Sequence, residues 1–395
     1  MSSLNNYPMK KESDSYLRLA KHVIAADGKG ENIILSPLSI HMVLSMTAAG
    51  SSGSTRDQLL TYLKSERVEH LNSLYTQIAA TILDDGSHVG GPLLSTNNGL
   101  WVDRSLTFKP AFRDIVHNSY KAAAQLVDFQ NQVEETRKEV NAWCEKETKG
   151  LIKEILPPDS VTFNSRLILA NAVYFKGKWT DTFNANLTRD GNFYLLNGSS
   201  VRAPFMTSRD MQFFLAFKGF KVLRLCYQQG RDKREFSMYI YLPDAKDGLP
   251  SLTERICSEP GFIDRHRPSY AVTLDKFRIP KFKIGFEIEA SSVMKELGVV
   301  DLFKMGGLTE MVENGEALMV NKLQHKAFVE VNEEGTEAAA VTEAHIALGC
   351  SMYRPPPKRF VADHPFLFTI REDISGVVLF VGQLLNPLAN ASSQD

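Results

Sequence analysis

The side chains that could do chemistry in this chain of 395 residues are its cysteines and histidines, and their spacing does not indicate an enzyme. The four cysteines, Cys144, Cys226, Cys257 and Cys350, form no C-x-x-C pair and show no metal-ligand spacing. The sequence has no G-x-S-x-G elbow, P-loop, H-E-x-x-H motif or Rossmann fingerprint. A nucleophilic pair of Cys350 with a distant histidine has no local support. We therefore expect no catalytic site, no metal and no cofactor.

The most informative stretch is residues 333–350, whose side chains divide into two sets at the strand period of two. One set is small or apolar throughout: Thr336, Ala338, Ala340, Thr342, Ala344, Ile346 and Leu348. The other set carries all the charge: Glu337, Ala339, Val341, Glu343, His345 and Ala347. This alternation favours a segment that can join a sheet, whereas the many alanines also fit a helix or a flexible loop. On pattern alone both alternatives stay open.

Three segments predict the elements around this stretch. A helix should begin after a Ser36 cap at Pro37 and end at Gly50. The 3.6-residue period predicts a long amphipathic helix over residues 133–155, with Cys144 on its apolar face. The apolar run 167–175 predicts a strand buried on both faces, with the amide of Asn171 in its middle. A buried amide must find hydrogen-bond partners, so Asn171 is either a satisfied core residue or part of a functional polar cluster.

Shorter patterns predict further strands and one more helix. Residues 97–102 should form a short strand, and 236–242 a strand with one face in the core. Residues 276–284 read as one strand in which Pro280 marks an edge or bulge. A short helix is expected over 291–298, and the segments 365–370 and 376–383 should pair as a closing hairpin.

Composition excludes several classes of function. A net charge of −1 gives no general attraction to nucleic acid or to an acidic membrane, so neither is an expected partner. With 43% hydrophobic residues the chain can bury a large core, and no linker or repeat divides it. The first 25 residues lack the apolar core of a signal peptide, and no stretch is long enough to span a membrane. We expect reduced thiols and a location in the cytosol or nucleus.

Five segments, taken in order, resemble the serpin family of protease inhibitors. They are 32–40 (NIILSPLSI), 171–179 (NAVYFKGKW), 329–340 (VEVNEEGTEAAA), 360–368 (FVADHPFLF) and 376–383 (GVVLFVGQ), the last followed by Asn386-Pro387. One such motif is weak, but five in family order over nearly the whole chain are specific. The sequences of residues 332–340 and 363–368 resemble those of the plant branch of the family.

The resemblance implies a fold and a set of sites. The expected fold is α+β: a single serpin domain over residues 1–395, with large, mostly antiparallel β-sheets packed with helices and an exposed reactive-centre loop at about 333–360. It implies a hinge for that loop at Glu334, Gly335, Thr336, Glu337, Ala338, Ala339 and Ala340. It also implies a shutter beneath the main sheet, where the sheet parts, at Ser36, Ser39, Asn171 and His325. Trp179 would lie at the breach, where the loop first enters the sheet, and the helix over 133–155 would cross the face of the sheet.

The resemblance further implies suicide inhibition of a target endopeptidase. In the family the scissile bond follows the fourteenth residue after the hinge glycine, which places it between Gly349 and Cys350. The protease would form an acyl-enzyme at Gly349, and the freed segment Thr336–Gly349 would insert into the main sheet. Such a protein is expected to be a monomer that meets its target as a covalent complex. The competing function is a non-inhibitory serpin that binds or chaperones a partner and is cleaved as an ordinary substrate.

The loop sequence gives a ranking of target proteases. Gly349 has no side chain for a specificity pocket, whereas Leu348 and Ile346 offer apolar anchors before the bond. Papain-like cysteine proteases choose chiefly through a hydrophobic pocket at the position of Leu348, so they rank first, and a glycine-requiring protease ranks second. Arg354 would suit a trypsin-like enzyme or a metacaspase, but Pro355 follows it and hinders cleavage.

Overall fold

A computed structural model describes residues 8–26, 30–315, 318–336 and 357–389, with side chains from Tyr16 onward. The helices of the described residues are α1 (Pro8–Ala26), α2 (Pro37–Ala49), α3 (Gly53–Tyr62), α4 (Val68–Thr81), α5 (Pro110–Tyr120), α6 (Val133–Glu147), α7 (Leu249–Ser258), α8 (Phe262–Arg265) and α9 (Ser291–Glu296). The strands are β1 (Ile33–Leu35), β2 (Leu93–Asp103), β3 (Ala123–Val127), β4 (Leu167–Lys178), β5 (Arg189–Tyr194), β6 (Ser200–Met206), β7 (Gln212–Phe217), β8 (Phe220–Cys226), β9 (Phe236–Pro243), β10 (Ala271–Val272), β11 (Lys276–Pro280), β12 (Phe282–Glu289), β13 (Lys322–Val331), β14 (Gly335–Thr336), β15 (Arg359–Val361), β16 (Phe366–Glu372) and β17 (Val378–Leu384).

The strands form three sheets. The first has the order β12-β13-β4-β2-β3, with β14 paired to β4 outside this path, and is called the main sheet below. The second has the order β1-β17-β16-β9-β8-β7-β10, and the third is β15-β11-β6-β5. Most neighbours are antiparallel, but three pairs are parallel: β13 with β4, β2 with β3, and β11 with β15. This arrangement confirms the expected α+β fold class.

The buried strand β4 lies at the centre of the main sheet and separates two hydrophobic cores. Its residues Leu167, Leu169, Val173 and Phe175 enter the larger core, which the main sheet shares with the second sheet and with α2. The alternating residues, Ile168, Ala170 and Ala172, enter a smaller core beneath α6. Because both faces are covered, the strand reads as a continuous apolar run rather than an alternating one.

Helix α6 covers the main sheet as expected, but it ends eight residues earlier than the period predicts. Lys149 and Gly150 adopt positive φ angles of 54° and 85°, which terminate it. The apolar period continues because residues 151–156 fold back beneath the helix and bury Ile152 and Ile155. Cys144 is fully buried there, and burial raises the pKa of its thiol to about 12, so it is a core residue.

Three predicted strands differ from the observed ones. The strand predicted over 97–102 begins at Leu93, so β2 is nearly twice as long. Every residue of β9 is buried, because its second face also packs inside the molecule, so the expectation of one wet face is wrong. The stretch 276–284 forms two strands in two sheets: Pro280 ends β11 in the third sheet, and β12 begins at Phe282 in the main sheet. The hairpin of β16 and β17 is confirmed.

The predicted ends of α2 are correct in place but differ in mechanism. Ser36 occupies the cap position, yet its side chain makes no capping hydrogen bond. Gly50 follows the last helical residue with an ordinary negative φ of −89°. Its lack of a side chain matters for packing instead, since a Cβ there would lie 2.8 Å from the Phe112 ring. No helix in the described ranges is long and apolar enough to cross a membrane.

Asn141 should be a strong determinant of stability, because its amide holds the segment beneath α6. It accepts from the backbone N–H groups of Ile155 and Leu156 at 3.0 and 2.8 Å, and donates to the Leu156 carbonyl at 3.0 Å. An unsatisfied buried group costs roughly 1–3 kcal/mol. We expect Asn141→Ala to lower the free energy of unfolding by about 3 kcal/mol in a urea titration. The exposed Asn118→Ala on α5 is the control and should change it by less than about 1 kcal/mol; equal effects would contradict this assignment.

Candidate functional site: a polar cluster and a hinge at the main sheet

The predicted shutter residues form one buried hydrogen-bonded cluster centred on Asn171. Its Oδ1 accepts from the Ser39 hydroxyl at 2.6 Å and lies 2.6 Å from His325 Nδ1. The Asn171 amide nitrogen donates to Asn98 Oδ1 at 2.6 Å. The backbone N–H of Ser36 donates to His325 Nε2 at 3.2 Å, so Nε2 must accept and Nδ1 carries the proton. The imidazole is therefore neutral, with both nitrogens satisfied.

Strand register places these side chains in one row. Asn98 on β2 and His325 on β13 both lie directly opposite Asn171 on β4. The row faces the larger core, where the start of α2 supplies Ser36 and Ser39. Asn98 was not predicted, although it is an amide in a buried strand as Asn171 is. The predicted strand 97–102 included Asn98, but its pairing with β4 is a long-range contact that the local pattern does not contain.

The cluster predicts a specific dependence of stability on pH. Burial lowers the pKa of His325 to about 3. Below pH 6.5 this histidine is therefore protonated in the unfolded chain, whereas in the folded chain it stays neutral down to about pH 3. The contribution of neutral His325 to the free energy of unfolding is fully present above pH 6.5. Below that pH it falls by at most about 1.4 kcal/mol per pH unit, which amounts to roughly 2 kcal/mol by pH 5. The buried His41, whose pKa is also lowered to about 3, adds a similar loss.

We expect His325→Gln to remove about half of this pH dependence between pH 6.5 and 5, because two such histidines contribute. The measurement is the free energy of unfolding of wild type and variant across that range. The matched variant His41→Gln should reduce the slope by a similar amount without touching Asn171. Unchanged slopes in both variants would show that the histidines are not held neutral.

Trp179 lies just beyond the end of β4 and ties the hinge to the main sheet. Its indole N–H donates to the Asn332 carbonyl at 3.0 Å, and its backbone N–H donates to the Glu334 carbonyl at 2.8 Å. The ring stacks on Tyr227 with centroids 4.5 Å apart. The Tyr227 hydroxyl lies 3.0 Å from the Thr336 hydroxyl, so one aromatic stack contacts both ends of the hinge turn. Tyr227 carries no sequence signal for this role.

Two of the predicted hinge residues, Gly335 and Thr336, pair with the main sheet. Strand β14 runs antiparallel to β4, with Gly335 opposite Lys178 and Thr336 opposite Gly177. Gly335 has a φ of 151°, and a Cβ there would lie 2.1 Å from the Gly177 carbonyl oxygen, so both conformation and space require glycine. Thr336 is only 1% exposed. The remaining predicted loop residues, Glu337, Ala338, Ala339, Ala340, Ile346, Leu348, Gly349 and Cys350, lie outside the described residues.

Below the hinge, β4 and β13 are in direct contact. Their parallel pairing covers seven positions, from Lys322 opposite Ile168 to Phe328 opposite Tyr174. Above Tyr174 the partner of β4 changes from β13 to β14. The two strands therefore diverge towards Trp179, and β14 occupies the opening.

Helix α6 and the segment after it close the outer face of this seam. The Trp143 ring packs edge-on against Trp101, with centroids 4.8 Å apart. Ser95 donates to the Glu147 carbonyl at 3.0 Å. Lys326 on β13 donates to the Glu154 carbonyl at 2.6 Å. Only the Lys326 contact reaches β13, so a strand could enter the seam only if that contact gave way.

Comparison with known proteins agrees with this geometry. The family model described as "Serpin (serine protease inhibitor)" matches residues 11–387. Serpin-ZX of Arabidopsis thaliana is 51% identical over 94% of this chain and 96% of its own length, and Serpin-ZXA of rice is 51% identical over 93% of each. The structure of Arabidopsis AtSerpin1 in the native stressed conformation is 48% identical, has a TM-score of 0.88, and matches over 96% of this chain and 98% of its own.

The chain belongs to the serpin family, and its similar relatives include plant serpins. Serpins are generally protease inhibitors that act as suicide substrates, rather than enzymes.

Proposed function

We propose that this single-domain protein inhibits an endopeptidase by offering the Gly349–Cys350 bond and then inserting the cleaved loop between β4 and β13. The observation that carries the proposal is the antiparallel pairing of β14 with β4. This pairing gives the loop a defined starting point and direction. The divergence of β13 from β4 above Tyr174 supports the same path.

The observed register predicts where each inserted residue would lie. Continuing the pairing of β14 down β4 sets Ala338 beside Phe175, Thr342 beside Asn171, and Ile346 beside Leu167. Directly opposed residues share a face of the sheet, and Phe175 and Leu167 belong to the larger core. The small, uncharged set of loop residues would thus face that core, with Thr342 joining the polar cluster.

The charged set would face α6. The same register sets Glu343 beside Ala170 and Val341 beside Ala172. Both alanines belong to the smaller core, to which α6 contributes Val140 and Cys144. Insertion therefore requires α6 to leave this part of the sheet while the strand passes. The contacts of Ser95 and Lys326 with the backbone at Glu147 and Glu154 would slow that step.

Insertion is favourable because it replaces one strand interface with two. The seven parallel positions between β4 and β13 would separate, and the new strand would pair with both neighbours. Cross-strand pairs contribute roughly 0.2–1 kcal/mol each, so a strand of fourteen residues, Thr336–Gly349, gains on the order of several kcal/mol before apolar burial is added. At about 3.4 Å per residue that strand is ~48 Å long, which sets the distance over which a tethered protease moves.

The inhibitory chemistry is the protease's own reaction, halted after the acyl-enzyme has formed and before it is hydrolysed. Its nucleophile attacks the Gly349 carbonyl carbon, the peptide bond breaks, and the new amino terminus of Cys350 leaves with a proton. The acyl bond to Gly349 then awaits attack by water. Catalytic groups require placement within about 0.5 Å, so distortion of the protease after the loop has inserted would block hydrolysis.

The loop residues favour a papain-like cysteine protease as the target, since Leu348 and Ile346 provide the apolar side chains and Gly349 provides none. A glycine-requiring protease is the next choice. We propose that the inhibitor acts as a monomer in the cytosol or nucleus, where its thiols stay reduced.

The test is to incubate the protein with papain and separate the products on a denaturing gel that preserves a thioester. We expect a covalent complex, together with a released fragment whose amino terminus is Cys350. Cleavage at that bond without any complex would contradict trapping and support the binding-protein alternative instead. A fragment starting at another residue would contradict the predicted bond.

Thr336→Arg should convert the inhibitor into a substrate. Thr336 is 1% exposed and contacts Tyr227, so an arginine there would bury an unpaired charge at the start of insertion. We expect normal cleavage with loss of the covalent complex. Ser351→Arg is the matched control, because it adds the same charge to the loop beyond the inserting segment and should keep the complex. Retention of the complex in Thr336→Arg would exclude insertion that begins at β14.

A further inference from the structure

One face of the third sheet carries a cavity of about 550 Å³, a volume typical of sites that bind small molecules. Its charged lining residues are Arg189, Arg209, Lys276, Arg278 and Asp275, so four cations and one carboxylate surround the space. All four cationic residues are exposed, and a ligand from solution can therefore reach them. We call this space the cationic cavity.

Three separate segments bring these cations together. Lys276 and Arg278 lie two residues apart on β11 and so point to the same face of the sheet. Arg278 reaches across β6 towards β5, because its Nη1 lies 3.8 Å from the position that a Cβ of Gly191 would take. Arg189, two residues before Gly191 on β5, shares that face. Arg209 follows the end of β6 and completes the set.

The positive charge of the cavity is not balanced within the described part of the chain. Arg209, Lys276 and Arg278 form no ion pair there. Arg189 donates to two backbone carbonyls at 2.7 Å each, which fixes its guanidinium without neutralising it. The carboxylate of Asp275 accepts from a backbone N–H at 2.8 Å and forms no ion pair with a described lysine or arginine. Because the whole chain has a net charge of −1, this excess is local.

The pairing of β11 with β15 adds to the excess. Lys276 lies directly opposite Arg359, which is also exposed and forms no ion pair with a described residue. Like charges directly opposite each other destabilise a sheet. An anion bound beside Lys276 would offset this repulsion, so the folded protein should gain stability from such a ligand.

A neighbouring cavity of about 330 Å³ is the weaker candidate for an anion site. Lys276 and Arg278 line it too, and Arg202 gives it a third cation, but the carboxylates of Asp190 and Asp363 offset two of these charges. The cationic cavity has both the larger volume and the larger excess of positive charge. It is therefore the place where an anion should bind.

We propose that the cationic cavity binds a small ligand that carries two or more linked phosphate groups. Arginine presents N–H donors in a planar fork that matches phosphate oxygens, and lysine adds a compact charge. One phosphate group can contact only some of the four cations, whereas linked phosphates can span them. This binding does not depend on the proposed inhibitory function.

The experiment titrates the uncleaved full chain with sodium tripolyphosphate in a calorimeter, at physiological ionic strength so that loose attraction of counter-ions is screened. We expect saturable binding at one site, and binding of orthophosphate that is about tenfold weaker or more, because a single group spans fewer cations. Arg278→Gln and Lys276→Gln should each weaken tripolyphosphate binding about threefold or more, and the double variant about tenfold or more. The matched controls are the exposed Arg67→Gln before α4 and Lys138→Gln on α6, which should change the affinity less than about twofold.

Thermal unfolding provides an independent measurement. A ligand that binds only the folded protein raises its unfolding temperature. Tripolyphosphate should therefore stabilise the wild type and both control variants, but not the double variant at Lys276 and Arg278. Without ligand the double variant should unfold no earlier than the wild type, because it removes the repulsion from Arg359.

No binding at about 10 mM tripolyphosphate, equal affinity for orthophosphate, or undiminished binding in the double variant would each overturn the site. Losses of affinity in Arg67→Gln and Lys138→Gln as large as those in Arg278→Gln and Lys276→Gln would indicate a general attraction to the protein surface, and would overturn it as well.

Discussion

The parallel contact between β4 and β13 is the constraint on which the proposed mechanism depends. These strands pair directly over seven positions and then diverge, and β14 has taken the first two positions of the opening. A sheet that can accept one more antiparallel strand is not at its lowest free energy while that strand remains outside. The resting protein can therefore hold a reserve of pairing and burial that only a cut in the loop makes available.

The same seam carries the interactions that would oppose premature insertion in the proposed mechanism. The Asn171 cluster ties β2, β4 and β13 to the start of α2, and α6 covers the opposite face. Neither set of contacts is large, but each must give way before the strands can part. Trp179 and Tyr227 fix the point from which parting would begin. If the proposed mechanism holds, neighbouring residues set both stability and the barrier to insertion, so a substitution at one of these places should affect both properties.

The sequence predicted those elements whose signal is local. The apolar run of β4 and the buried thiol of Cys144 follow from local hydrophobic patterns, and the resemblance to the serpin family predicted Ser36, Ser39, Asn171 and His325 of the polar cluster. The early end of α6 was missed because residues 151–156 keep the apolar period while leaving the helix. The split of 276–284 was missed because the strand passes from one sheet to another at Pro280. Asn98 and Tyr227 meet their partners only through long-range register, which no local pattern contains.

The most direct test of the claim that the main sheet can accept the cleaved loop as a further strand is the thermal stability of the protein before and after a single cut in the loop. Papain can serve to cleave the loop, and the cleaved protein that escapes the enzyme is then purified and heated beside the intact one. If the loop inserts, several kcal/mol of added pairing should raise the unfolding temperature by roughly 5 °C. An unchanged or lower unfolding temperature would mean that the sheet accepts no further strand. That result would contradict insertion of the cleaved loop between β4 and β13.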